Sequence, residues 1–165
     1  MNFLIAIGQY ILFLKSVFFK LEKKRVYYSR IIDEINILGM SSIGFVAFIS
    51  VFVGAVVTLQ VAYNMENPLL PTYLIGLSSR DSLILEFSPT MISLVLAGKI
   101  GSHIASSIGT MRVTEQIDAM DVMGINSASY LVLPKVFATI FINPFLIILS
   151  IALGLVGGWL AGHLT

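Results

Sequence analysis

The side chains able to do chemistry are few, and they do not converge. Glu115, Asp118 and Asp121 fall within MRVTEQIDAMDVMGINSASYLVLPK, Met111–Lys135. At that spacing the three carboxylates spread around a helix, so none is paired with another for general acid–base work. The remaining candidates are Glu86, Lys99 and His103. Lys99 and His103 share a helix face at i,i+4, but Glu86 would lie about 20 Å away along the same helix. Gly98-Lys99-Ile100 lacks the hydroxyl and the upstream glycine of a phosphate-binding loop, and no H-E-x-x-H is present. His103 and His163 are far apart, and the chain has no cysteine. A thiolate metal site, a cysteine nucleophile and a disulfide framework are therefore excluded. No catalytic residue, no metal site and no cofactor are expected.

The composition explains why such residues are scarce. The 165 residues are 57% apolar and only 12% charged, against roughly 25% charged in a soluble domain. The net charge is +1. That leaves too little charge for a disordered chain and no basic excess for a nucleic-acid binder. A soluble fold of this size could not enclose so much apolar surface. The expectation is an all-α integral membrane protein.

No charged side chain lies between Glu34 and Glu66, nor between Lys135 and the C-terminus. Each gap exceeds the roughly 20 residues needed to cross a bilayer. Spans are expected at residues 40–61 and 137–160, with Asn143-Pro144 kinking the second of these and Trp159 anchoring it at an interface. A third span, 88–108, is interrupted only by Lys99 and His103. Lys99 either snorkels to the boundary or faces a polar cavity or carboxylate. Glu86, just before Pro89, is either a functional carboxylate or a boundary residue in contact with headgroup water. His103 reads as a packing or hydrogen-bonded histidine.

Residues 1–36 combine a short apolar stretch with Lys15, Lys20, Lys23, Lys24, Arg25 and Arg30. This reads as an N-terminal helix lying in the membrane interface, the alternative being a frayed, poorly ordered N-terminus. Six of ten basic residues precede the first span, which places the N-terminus in the cytoplasm. Asn64–Glu86 is then an outer loop, and Met111–Lys135 returns to the cytoplasm. Three spans satisfy this bookkeeping.

The cytoplasmic segment predicts a short helix over 114–124. Thr114 is its expected N-cap, Glu115 and Asp118 sit in its first turn, and Gly124 stops it. Ile117, Met120 and Met123 line one face beside the acidic stripe. Such a helix either docks into a partner's groove or is an ordinary surface helix. Ser93, Ala97, Gly101, Ala105 and Gly109 form a small-residue face on the middle span, and Gly154, Gly158 and Gly162 form another on the last. Both are expected at close helix packing, within the chain or between copies.

The run LAGKIGSHIASSIGTMRVTEQIDAMDVMGINSASYLVLPK, and within it GTMRVTEQIDAMDVMG, resembles the signature region of MlaE-type permeases. SVFVGAVVTLQ, LEFSPTMISLVLAGKIG and PKVFATIFINPFLIILSIALGLVGGWLAG also resemble that family in order and spacing, and ENPLLPTYLIGL resembles its Bacteroidetes members. The resemblance implies a subunit of an ABC system that moves phospholipid between the inner and outer membranes of Gram-negative bacteria. It implies an inner-membrane homodimer beginning with an interfacial helix. It also implies a coupling helix that inserts into a separate, ATP-binding ABC ATPase subunit, formed here by Thr114, Glu115, Gln116, Ile117, Asp118, Ala119, Met120, Met123 and Gly124. An MCE-domain periplasmic lipid-binding protein and a phospholipid substrate would be its further partners. Glu86 and Lys99 would be lipid-cavity candidates. The family has five spans and this chain carries three, so a C-terminally truncated form is expected. From the residues alone, a small membrane scaffold without transport activity is the alternative.

Overall fold

The structure is a computed structural model that describes residues 2–19, 24–65, 71 and 73–164. Lys20, Lys23 and Glu66, which entered the charge argument, lie outside the described residues. Among the described residues every regular element is helical. The order is α1 (Asn2–Phe19), α2 (Lys24–Asn64), α3 (Tyr73–Ser82), a π-helical turn (Leu83–Phe87), α4 (Ser88–Val113), α5 (Gln116–Val122) and α6 (Ser127–Leu164).

Three helical runs are long and apolar enough to cross a membrane: Tyr27–Asn64, Tyr73–Val113 and Ser127–Leu164. They contain the expected stretches 40–61, 88–108 and 137–160. All three are longer than the expectation because helices do not stop at the edge of the hydrocarbon. The 41 residues of α2 extend about 60 Å at 1.5 Å per residue, twice the apolar thickness of a bilayer. Arg30, Asp33 and Glu34 occupy its early turns, ahead of the uncharged run that begins at Ile35. In α6 the helix is continuous through both Pro134 and Pro144. Each proline removes one backbone donor, and Asn143 Oδ1 is buried without a partner.

Within residues 1–36 the described helices are α1, to Phe19, and the start of α2, from Lys24, which carries Arg30. One expectation requires correction: Asn64–Glu86 is not a loop throughout, since it is helical from Tyr73 onward. The glycine and serines of YLIGLSSRDS obscure the periodicity there. Ser79 and Leu83, one helical turn apart, are the residues this run buries. The π-turn has a local cause. Pro89 cannot donate to the carbonyl four residues back, and its ring would crowd that carbonyl. The ladder widens instead, and the Ser88 N–H reaches the Leu83 carbonyl five residues back.

The chain divides into two compact units. One comprises Met1–Leu38 and Ile100–Phe141. Its buried cluster is Val17, Tyr27 and Leu133, with Ala128 and Val132 packed against it. The other comprises Gly39–Lys99 and Ile142–Thr165. Val46, Val57, Leu83, Ile92, Leu96 and Leu146 are buried in it.

Candidate functional site

The α4–α5 connection is a tight reversal made by two residues. Thr114 does not cap α5. Its hydroxyl donates back to the Thr110 carbonyl at 2.8 Å, so it is spent on the end of α4. The N-cap position belongs to Glu115, one residue later, with φ 58 and ψ 14 and no side-chain cap bond. A non-glycine residue in the left-handed region costs about 1–2 kcal/mol. Glu115 is the described non-glycine residue with positive φ. Its carbonyl accepts the first α5 bond, from the Ala119 N–H at 3.0 Å. The Arg112 guanidinium Nη1 pairs with Asp118 Oδ1 at 2.6 Å across the reversal, both side chains being more than half exposed. Asp118 is in the first turn of α5, as expected.

Gly124 ends α5 as the sequence predicts. At φ +77 it is the described glycine with positive φ. Its N–H donates to the Asp121 carbonyl at 3.0 Å, and the Ile125 N–H donates to the Met120 carbonyl at 3.0 Å. This is the 6→1 and 5→2 pairing of a Schellman end, which requires the left-handed residue that glycine supplies. The helix is therefore seven residues long, shorter than the expected 114–124.

No residue of α5 is buried. Ile117 and Met120 turn partly inward, whereas Gln116, Ala119 and Met123 are exposed. Val122 is 88% exposed and, on the other side of the reversal, Val113 is 85% exposed. Sequence reasoning missed these two valines because neither falls on the Ile117–Met120–Met123 spacing. Seven residues with no buried side chain cannot hold themselves helical. The two end structures hold α5, and its apolar side chains are left available to another surface.

Behind α5 lies a set of polar contacts joining the N-terminal elements to the start of α6. Asn126 Nδ2 donates to the Ser16 carbonyl at 2.9 Å. Tyr27 Oη and Ser129 Oγ are 2.8 Å apart. Arg30 Nη2 donates to Tyr130 Oη at 2.6 Å, with the guanidinium carbon 4.5 Å from that ring's centroid. Lys135 Nζ pairs with Glu34 Oε1 at 2.6 Å, at 5% and 16% side-chain exposure. On α2 these residues follow i, i+3, i+7, one helix face.

Glu86 and Lys99 belong to the second unit. Glu86 is exposed in the π-turn. Lys99 Nζ donates to the Ser41 carbonyl and lies 5.3 Å from the Phe45 ring centroid. Its amine thus settles on α2 rather than on Glu86. On α4, where the sequence predicts close packing within the chain or between copies, a Cβ at Gly101 or Gly109 would meet nothing of this chain, and Ala97 and Ala105 are exposed. Close approach occurs between α2 and α6. A Cβ on Gly54 would fall on the Gly154 carbonyl, and one on Gly157 on the Val51 carbonyl. Gly158 is confined by Thr58 Oγ1, as expected for the last span, while a Cβ on Gly154 itself would find ordinary contacts. Gly54 and Gly157 were missed because neither stands in a four-residue glycine repeat. Between α2, α3 and α6 is a cleft of about 730 Å³ whose lining includes Ser79, Arg80, Trp159 and His163. Neither Glu86 nor Lys99 lines it.

The profile of the family described as Permease MlaE matches residues 31–165. A "Probable ABC transporter permease protein" of Rickettsia bellii is 36% identical over 157 residues, covering 95% of this chain and 60% of the relative. A protein of the same description from Synechocystis is 36% identical over 143 residues, covering 87% and 54%. "Protein TRIGALACTOSYLDIACYLGLYCEROL 1, chloroplastic" of Arabidopsis thaliana is 29% identical over 146 residues, covering 85% and 40%. This chain thus spans about 60% of the length of the Rickettsia relative. With three apolar helices of crossing length, it is a multi-pass membrane protein. The chain belongs to the MlaE permease family.

Proposed function

We propose that this chain acts as the membrane-spanning permease subunit of an ATP-driven ABC transporter that moves phospholipid between the inner and outer membranes of a Gram-negative bacterium. The observation that carries the reading is α5, a seven-residue helix with no buried side chain, held open by the Glu115 reversal and the Gly124 end inside a family match covering residues 31–165. It acts as the coupling helix: a separate ABC ATPase binds and hydrolyses ATP and takes α5 into its surface. The chain itself needs no cofactor. Lipid cargo is supported by the apolar spans and by the Arabidopsis relative, which is named for a glycerolipid. The permease works in the inner membrane as a homodimer, with its N-terminus and α5 in the cytoplasm and an MCE-domain protein on the periplasmic side. The open α4 face around Gly101 and Gly109 suits approach by a second copy. Glu86 and Lys99 remain lipid-cavity candidates.

The test is a charge reversal on α5. Glu115→Lys with Asp118→Lys inverts the acidic edge and breaks the Arg112 pair, while leaving every apolar span unaltered. The doubly substituted chain should insert in the membrane normally and lose the ATPase in affinity purification. Retention of the ATPase at the unmodified level would overturn the coupling role. Native mass spectrometry of the unmodified complex should show the ATPase and bound phospholipid. The chain alone at 18.0 kDa, with no lipid, would overturn the transport reading.

A further inference from the structure

Asn126 does two things with one side chain. Its carbonyl oxygen Oδ1 accepts from the Ser129 N–H at 3.4 Å, and its backbone carbonyl accepts from the Tyr130 N–H at 3.0 Å. It is therefore the N-cap of α6. Its amide nitrogen points the other way and donates to the Ser16 carbonyl. Ser16 lies near the described end of α1. Ser16 Oγ donates back to Asn126 Oδ1 at 3.4 Å. The neighbouring Val17 is 1% exposed, sealed against Tyr27 and Leu133. Asn126 also follows directly on Gly124-Ile125, the end of α5. One amide thus joins the end of α5, the start of α6 and the end of α1.

We propose that Asn126 is a positioning residue that ties α1 to the α5–α6 junction, so that a partner seated on α5 also restrains α1. This rests on the reading of α5 as the docking helix. The tie is polar and directional, and lies beside the apolar contact of Val17 with Tyr27 and Leu133. Tyr10, Ile11, Leu12 and Phe18 are each about half exposed or more. Tyr27–Ser129, Arg30–Tyr130 and Glu34–Lys135 fix the start of α2 against α6 alongside it. Of the four contacts, the Asn126 contact is the one that reaches α1.

The two roles of Asn126 separate by substitution. Asn126→Asp keeps the oxygen that caps α6 and accepts from Ser16 Oγ, but replaces the donor to the Ser16 carbonyl with a second oxygen that repels it. Asn126→Ala removes both. Hydrogen exchange of the full chain in lipid nanodiscs reads the result. Asn126→Asp should speed exchange in the last turns of α1 about tenfold, the loss of one hydrogen bond to a partly buried carbonyl, with the first turn of α6 unchanged. Asn126→Ala should loosen both. Unchanged α1 exchange in Asn126→Asp, or equal loosening of α6, would overturn the tie. A second arm adds the ABC ATPase subunit of the transporter. The ATPase should slow α1 exchange on the unmodified chain and fail to slow it on Asn126→Asp, although it remains bound. Slowing of equal size on both would overturn the restraint of α1 through Asn126. Failure of the docking reading is seen separately, as no ATPase retained on the unmodified chain; the exchange arm still decides the tie.

Discussion

Removing the Lys135 ammonium should be among the most damaging single changes outside the apolar spans. The pair it forms with Glu34 is short, at 2.6 Å, and withdrawn from water, with 5% and 16% of the two side chains exposed. Glu34 has nothing in reserve, because its second oxygen is buried with no partner. Lys135→Met therefore leaves a carboxylate desolvated and uncompensated, a change of about 3–5 kcal/mol. A domain of this size has about 5–15 kcal/mol in total, so about a fifth or more would be lost. Glu34→Gln with Lys135→Met removes both charges and should recover most of the loss, since a neutral pair of similar volume is often no worse than a buried ion pair. The control is Arg112→Ala. Its pair with Asp118 has the same 2.6 Å separation, but the side chains are 64% and 55% exposed, and such pairs contribute at most about 1 kcal/mol. Unfolding by SDS in mixed micelles, followed by helicity, gives all four values on one scale. If Lys135→Met costs no more than Arg112→Ala, or if the double substitution is worse than the single, the reasoning from burial is wrong.

Gly54→Ala should drive α2 and α6 apart, because its Cβ would fall on the Gly154 carbonyl; a loss of about 1–3 kcal/mol is expected in the same assay. Gly101→Ala, with open space around it, should be neutral or stabilising by up to about 1 kcal/mol through helix propensity, and destabilisation of the isolated chain would show that α4 packs more closely than described. Gly124→Ala meets no atom but must adopt φ +77, which costs about 1–2 kcal/mol. The expected readout is faster exchange of the Ile125 amide, which is bonded to the Met120 carbonyl, without loss of the spans.

The parts of the fold legible in the sequence were those set by long uninterrupted runs. The uncharged stretches around 40–61 and 137–160 could only be crossing helices, and Gly124 announced the end of α5 because a left-handed residue was needed there. What escaped was local competition. Thr114 is a good cap by type, yet its hydroxyl bonds backward to α4 and the cap position falls to Glu115 in an unfavourable conformation. Nothing in its residue type signals that. The α3 helix was hidden because Gly76, Ser78 and Ser79 lower its apolar signal, and the π-turn is a response to Pro89 that periodicity cannot show. The close contact at Gly54 and Gly157 depends on which faces of α2 and α6 meet, which one sequence does not state. Asn126 was passed over for a similar reason: a cap asparagine is recognisable from sequence, but its second partner on α1 is set by tertiary contact.

The central claim, that α5 seats against an ABC ATPase, is open to direct chemical test because the chain contains no cysteine. Val122→Cys places a single thiol on the 88% exposed position of α5, and Val156→Cys places one at a 51% exposed position on the apolar part of α6. With a thiol-to-amine crosslinker in native membranes, Val122→Cys should yield a covalent product with the ABC ATPase and Val156→Cys should not. Equal yields from the two positions, or no ATPase product from Val122→Cys, would contradict the account.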